Sequence, residues 1–394
     1  MWGREPLDPT TTVYLDNAAT SYPKPEAVYE ALDRFMRRSL ANPGRSGHRM
    51  AVESQRAVSQ CRSLVARMFG ASGPERVVFA FNATDALNTA IKGLIGRGDH
   101  VVTTQIEHNS VRRPLTGLAA SHGVEVDWAP ADGEGVVDAA AILGLVREDT
   151  RAVVMTHASN VVGTLQPVAE VARHLRETPT LLIVDAAQTA GCVDIDIHDM
   201  GIDALAFAGH KGLLGPTGTG GLVLGERALP TPLREGGTGT DSESSTHPEE
   251  LPERLEAGTL NVAGLAGMAA GIRYLEERGV ERVGDHERRM GQALHDALAG
   301  VRGLRVYGPA DFGLRTGVVC TNIEGADPRD VAAMLDTSFG IASRPGLHCA
   351  PGAHGSLGTH PAGAVRLSPG PLTTDSDIDR AIEAMTQIAA ALSV

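Results

Sequence analysis

Asp185 closes the apolar run LLIV, so its carboxylate is expected at the end of a buried strand, short of water and in need of a cation or donor. Capping the helix that follows is an equally good use of one aspartate. Lys211 follows the apolar run ALAFA and precedes a glycine-rich turn, where desolvation would lower its pKa and expose a neutral amine for Schiff-base chemistry. Taken alone, a lysine more often snorkels to solvent. The combination favours the chemical reading. A strand-end Asp185, Gln188 three residues on, and Ala-Gly-His-Lys after the next strand are what a pyridoxal phosphate site requires: an imine lysine, an acid for the pyridinium nitrogen, a donor for the phenolic oxygen and a phosphate cradle.

The cradle follows from its own residues. NATDALN comes directly after VVFAF and opens a helix, so the amides near Ala83 and Thr84 and the Thr84 hydroxyl form an anion site. Capping by Asn82 or Thr84 would use the same residues without a ligand. Cys349 lies in SRPGLHCAPGAHGSLGTH, a Gly/Pro-rich loop, so its thiol is expected to be mobile and partly exposed, with His348 or His354 favouring the thiolate. Cys61, Cys192 and Cys320 read instead as small buried hydrophobes.

The elements that must position these groups are legible as well. Seven short apolar runs, VVFAF, VVTT, VEVDW, AVVMT, LLIVD, ALAFA and GLVLG, alternate with helical patterns from residue 77 to 225. Mostly continuous hydrophobicity means strands buried on both faces, hence an α/β sheet with helices on each side and ligands at the carboxyl ends of the strands. The polar stretch 234–258 marks a long surface loop and the exit from this domain. Beyond it, amphipathic helices, the short strands LRVYG and GVVCTNI, and a helix from Asp377 predict a smaller α+β domain. The expected division is 21–258 for the large domain, with 1–20 and 259–394 forming the small one.

Composition sets the outer limits. The chain has 394 residues, 42% hydrophobic and 21% charged, which excludes a largely disordered or fibrous protein. Asp and Glu outnumber Lys and Arg by 48 to 35, and no basic run offers a footprint for nucleic acid. No GxxxxGK[ST] or GxGxxG follows the first strand, and four scattered cysteines make neither a disulfide framework nor a zinc cluster. No apolar run is long enough to span a bilayer, and the first residues have no signal-like apolar stretch, so a cytoplasmic protein is expected.

Together YLDNAAT, NATDALNTAI, EHNS, SNVVGT, VDAAQ, GHK, EAGTLN and RPGLHCAP resemble the class V aminotransferases, specifically the cysteine desulfurase and selenocysteine lyase branch. The resemblance runs from Val13 to the C-terminus and implies a fold-type I pyridoxal phosphate enzyme. It makes Lys211 the lysine bound to the cofactor, Asp185 the partner of the pyridine nitrogen, Gln188 the donor to the phenolic oxygen and His108 the residue stacked on the ring. Without its EHN setting, His108 would read as a loop histidine. Asn160 would lie beside the phenolic oxygen or the substrate. Ala83, Thr84 and His210 would hold the phosphate, joined by Thr259 from the neighbouring subunit of a homodimer. Many relatives have a serine where this chain has Ala208, so one hydroxyl contact would be missing.

The same resemblance gives Arg366 the substrate carboxylate, with Arg344, Ala19 and Thr20 completing the pocket. Cys349 would take sulfur from L-cysteine as a persulfide and release alanine, in the manner of the type II group with its short, ordered cysteine loop. A sulfur-accepting partner protein and activity on selenocysteine are part of that expectation. Relatives that act as epimerases or carbon–sulfur lyases use the same lysine and aspartate without a loop cysteine. A non-catalytic sulfur carrier would not need Lys211, Asp185, Gln188 and His108 all in place.

Overall fold

The computed structural model describes residues 12–43, 47–240 and 243–392. The seven apolar runs form one sheet, ordered Val77–Ala80, Gly220–Leu224, Ala204–Ala208, Leu181–Asp185, Thr150–Thr156, His100–Thr104 and Glu125–Ala129. Gly220–Leu224 runs antiparallel to both neighbours and the remaining pairs are parallel. Side chains alternate between two apolar layers. Leu182, Val184 and Phe207 face the layer built with the helices Arg49–Met68, Val168–Leu175 and Val262–Arg278. Ile183, Ala204 and Ala206 face the layer built with Ala83–Leu94 and Asn109–His122. Each fully buried Leu, Ile or Phe in these layers contributes roughly 1.5–3 kcal/mol. The edge strand Glu125–Ala129 is the exception to burial on both faces, since four of its five residues are at least partly exposed.

The topology fixes where chemistry can occur. Ala80, Thr104, Thr156, Asp185 and Ala208 all end at one edge of the sheet. The loops carrying Thr84, His108, Asn160, Gln188 and Lys211 start from that edge, as the strand-end rule for open α/β sheets requires.

A second, antiparallel sheet has the order Arg344–Gly346, Ala364–Leu367, Val319–Ile323 and Leu304–Tyr307. Its core takes in the helices Val280–Ala299, Pro328–Phe339 and Asp375–Leu392. Val13–Tyr14 pairs in parallel with Ile341–Ala342, which ties the N-terminal segment to this domain. Residues 1–11 of the expected small domain lie outside the described residues. Val262, Leu265, Met268, Ile272 and Leu275 pack in the same apolar cluster as Leu182, Val184 and Phe207 of the large sheet. Among its described residues the segment 234–258 has neither helix nor strand. Its ends are pinned to the large domain by the ion pairs Arg234–Asp85 and Glu256–Arg62. No helix among the described residues is long and apolar enough to cross a membrane.

Candidate active site

Lys211 sits in the turn after Ala204–Ala208, and the segment from Thr20 to Lys24 grips that turn. The His210 carbonyl accepts from the Ser21 amide at 3.0 Å, the Thr20 hydroxyl at 3.1 Å and the Lys24 ammonium at 3.1 Å. The Ser21 hydroxyl donates to the Lys211 carbonyl at 2.9 Å. Ser21 and Lys24 were not foreseen from the sequence, since nothing in their spacing points to a turn almost 190 residues away. Burial, opposed by the Asp185 carboxylate, pulls the Lys211 amine down to about 8, within reach of the neutral form at ordinary pH. Asp185 is 5% exposed and accepts from the Ala187 amide at 2.9 Å. Burial raises its pKa, and the nearby Lys211 charge opposes the rise.

The turn before Ala83–Leu94 leaves an open helix end. Asn82 caps the helix Ala83–Leu94 by accepting from the Asp85 amide, which leaves the Ala83 and Thr84 amides at the open helix end. The Gly220 strand passes so close that a Cβ there would lie 2.8 Å from the Asn82 backbone. The Thr84 and Ser110 hydroxyls are 2.7 Å apart, and the His108 Nδ1 accepts from the Ser110 amide at 3.0 Å, capping its own helix. Burial and the nearby Lys211 and Arg344 charges pull His108 down to about 4, so its ring is neutral. The ring of His210 leaves Nδ1 buried without a hydrogen-bond partner among the described residues.

Arg366 is 1% exposed and is not an open cation. Its guanidinium donates to the Asn160 carbonyl and to the Asp16 carboxylate, each at 2.8 Å, while its Nε stays unpartnered. Asp16, a residue the sequence reading did not single out, therefore orients the arginine and offsets its charge. Arg344 is the cross-strand neighbour of Arg366 and is only partly buried. The Asn160 amide donates to the His348 carbonyl at 2.6 Å, and that of Gln188 to the Ala18 carbonyl at 3.1 Å. The Ala19 amide donates to the Asp16 carbonyl at 3.0 Å, within the same N-terminal turn.

Cys349 is exposed and lines a cavity of about 730 Å³ with Thr84, His108, Asn109, Ser110 and Arg113. Lys211 and Gln188 line a neighbouring pocket with Asn17 and Ala18. The loop is tied on both sides of the thiol. The Cys349 carbonyl accepts from the Asn109 amide at 2.8 Å, and Ala350 leads into the short helix Pro351–Ser356. His348 and Cys349 have φ of 50° and 59°, the left-handed region that costs an L-residue roughly 1–2 kcal/mol each. The expectation that His348 or His354 favours the thiolate fails. Both rings are buried, burial pulls them down to about 3 and about 4, and they are bonded to each other rather than to the thiol. Cys61, Cys192 and Cys320 are buried, as read. Thr259 is exposed and lines a separate pocket with Asp85 and Arg234, away from Lys211.

Glu107 is fully buried beneath this edge. One carboxyl oxygen accepts from the Thr104 hydroxyl at 2.6 Å and the Thr156 amide at 2.9 Å, and the other has no partner among the described residues. Burial, opposed by those bonds, pushes it up to about 8. The native state therefore keeps a proton that the unfolded chain loses in the ordinary carboxylate range, and Glu107 makes stability fall as pH rises toward about 8. Glu107→Gln removes that ionisation. In thermal melts from pH 5 to 8.5, the variant should gain on the parent protein as pH rises; a gap independent of pH would contradict the buried neutral carboxyl.

The profile of the Aminotransferase class-V family matches residues 13–381. A probable cysteine desulfurase of Methanothermobacter thermautotrophicus is 39% identical over 386 residues, covering 96% of this chain and 94% of that protein. A cysteine desulfurase of Haloferax volcanii is 34% identical, covering 97% of this chain and 91% of its own. Among solved structures, an apo cysteine desulfurase of Thermococcus onnurineus superposes with a TM-score of 0.91 at 33% identity, over 97% of this chain and 96% of the other.

Proposed function

The chain belongs to the class V aminotransferase family with a fold-type I architecture, and from that premise we propose that it is a pyridoxal phosphate-dependent cysteine desulfurase. The observation that carries the reading is an exposed Cys349 thiol on the cavity that also holds Thr84 and His108, the latter under the charge of Lys211. The residues suit the cofactor. Open helix amides at Ala83 and Thr84 and the orphaned His210 Nδ1 would hold its phosphate. Asp185, a buried carboxylate bonded only to the Ala187 amide among the described residues, would face its ring nitrogen, with His108 on the ring and Gln188 and Asn160 at its edge. Bound there, pyridoxal phosphate supplies an electron sink that loosens the substrate's Cα–H bond.

The chain's own groups do the rest. Arg366, assisted by Arg344 and the Ala19–Thr20 turn, holds the substrate carboxylate. Lys211, neutral at a pH near its lowered pKa, takes the Cα proton and returns it. The Cys349 thiolate attacks the substrate sulfur; an S–S bond forms as the Cβ–S bond breaks, its electron pair stays with carbon, and protonation yields alanine. The persulfide left on Cys349 then passes its outer sulfur to an acceptor thiol, which we take to belong to a partner protein. Thr259, which lines a pocket that Lys211 does not, would complete a neighbour's phosphate site in a homodimer. Four free cysteines suit a reducing, cytoplasmic setting.

Arg366→Lys keeps the charge but loses the planar fork. Bonds to a charged group are worth about 1.5–3 kcal/mol, so KM for cysteine should rise about tenfold or more, with kcat changed less. Cysteamine, which lacks the carboxylate, should lose nothing further. Steady-state kinetics with both substrates checks this, and an equal loss for both would remove Arg366 from carboxylate binding.

A further inference from the structure

We propose that His354 is a positioning residue for Cys349, acting through His348, the two rings forming a directional hydrogen-bond relay that holds the thiol-bearing residue in its left-handed conformation. The inference rests on reading Cys349 as the sulfur-accepting thiol. The relay has one possible polarity. The Arg344 carbonyl can only accept, so His348 Nε2, 3.0 Å away, carries the proton and His348 Nδ1 must accept. His354 Nε2, at 3.0 Å from that Nδ1, therefore donates. His354 Nδ1 is left to accept from the Thr359 hydroxyl at 2.7 Å. Every ring nitrogen is satisfied, and each ring is neutral.

The relay lies where the backbone needs support. His348 is 4% exposed and His354 fully buried, whereas Cys349 itself is exposed. Two successive non-glycine residues with φ of 50° and 59° persist only when their surroundings over-determine them. Three clamps are present: Asn160 on the His348 carbonyl, Asn109 on the Cys349 carbonyl, and the relay on the His348 ring. The first two hold the main chain from the large domain. The relay ties the His348 ring to the helix Pro351–Ser356, at His354. Without it, the peptide between His348 and Cys349 can relax toward right-handed space and turn the sulfur away from the substrate. The relay thus sets where the thiol is.

The test compares His354→Leu and His354→Gln in cofactor-loaded protein. Glutamine can place an N–H near the position of Nε2 and restore the bond to His348, whereas leucine cannot. Three readouts are taken: sulfide release from L-cysteine, the spectral response of the cofactor to L-alanine, and the pH dependence of Cys349 alkylation by iodoacetamide. His354→Leu should lose sulfide release by on the order of tenfold to a hundredfold, the scale of a misplaced reacting group. Its response to alanine and its alkylation midpoint should stay as in the parent, and His354→Gln should recover most of the loss. Full activity of the leucine variant, no rescue by glutamine, or a shifted alkylation midpoint would each overturn the proposal. If leucine prevents folding, seen as no response to alanine, the glutamine variant alone decides: near-parental sulfide release supports the relay, and a loss there refutes it. Absence of sulfide release from the parent protein would instead sink the desulfurase reading on which the proposal stands.

Discussion

Lys211→Ala should abolish turnover, by a factor of roughly 10³–10⁴ or more, the scale of losing a positioned acid–base group. It should also abolish the covalent attachment of cofactor that borohydride reduction and peptide mass mapping should reveal in the parent protein. The expectation follows from how the lysine is built in. Its turn is gripped by Thr20, Ser21 and Lys24, so the backbone should survive the substitution and cofactor should still bind through the Ala83–Thr84 helix end. What is lost is the amine near Asp185 that burial has pulled down to about 8. The sign for pH follows. A group whose pKa is lowered is protonated below it, so activity limited by the free amine should rise as pH increases toward about 8. Reduced cofactor mapped to another lysine would contradict the assignment.

Cys349→Ser should separate the two halves of the reaction. Cofactor loading and the spectral response to L-alanine need Lys211, Asp185 and the phosphate cradle rather than the thiol, and should remain. Sulfide release from L-cysteine should fall by about a hundredfold or more, because a hydroxyl in the same place is a far weaker acceptor of sulfur. Peptide mapping after a single turnover should show one added sulfur on Cys349 in the parent and none in the variant. Parental sulfide release by the serine variant would remove the persulfide step and favour the lyase alternative.

Much of this site was readable before the fold was known, for a physical reason. Asp185 and Lys211 each follow a run of five apolar residues or nearly so, and such runs must be buried strands whose ends present polar groups at one edge. The Ala83–Thr84 anion site was legible because strand, turn and helix lie contiguous in the chain. What could not be read depends on contacts between distant segments. Asp16 pairs with Arg366 across 350 positions, and Ser21 reaches the Lys211 turn across 190. The histidines near Cys349 misled because proximity in sequence suggested a cation beside the thiol. Burial makes both neutral and turns them toward each other. The packing of the apolar face of Val262–Arg278 on the large sheet, past the polar stretch 234–258, is likewise a contact between distant segments.

The most direct test of the central claim is the stoichiometry of alanine and sulfide released from L-cysteine by cofactor-loaded protein under reducing conditions, with Cys349→Ala alongside. Equal amounts of the two products from the parent protein, and neither above background from the variant, are the predicted result. Cofactor spectra that respond to amino acids without any alanine formed from cysteine would contradict the desulfurase assignment while leaving the fold and the cofactor site in place.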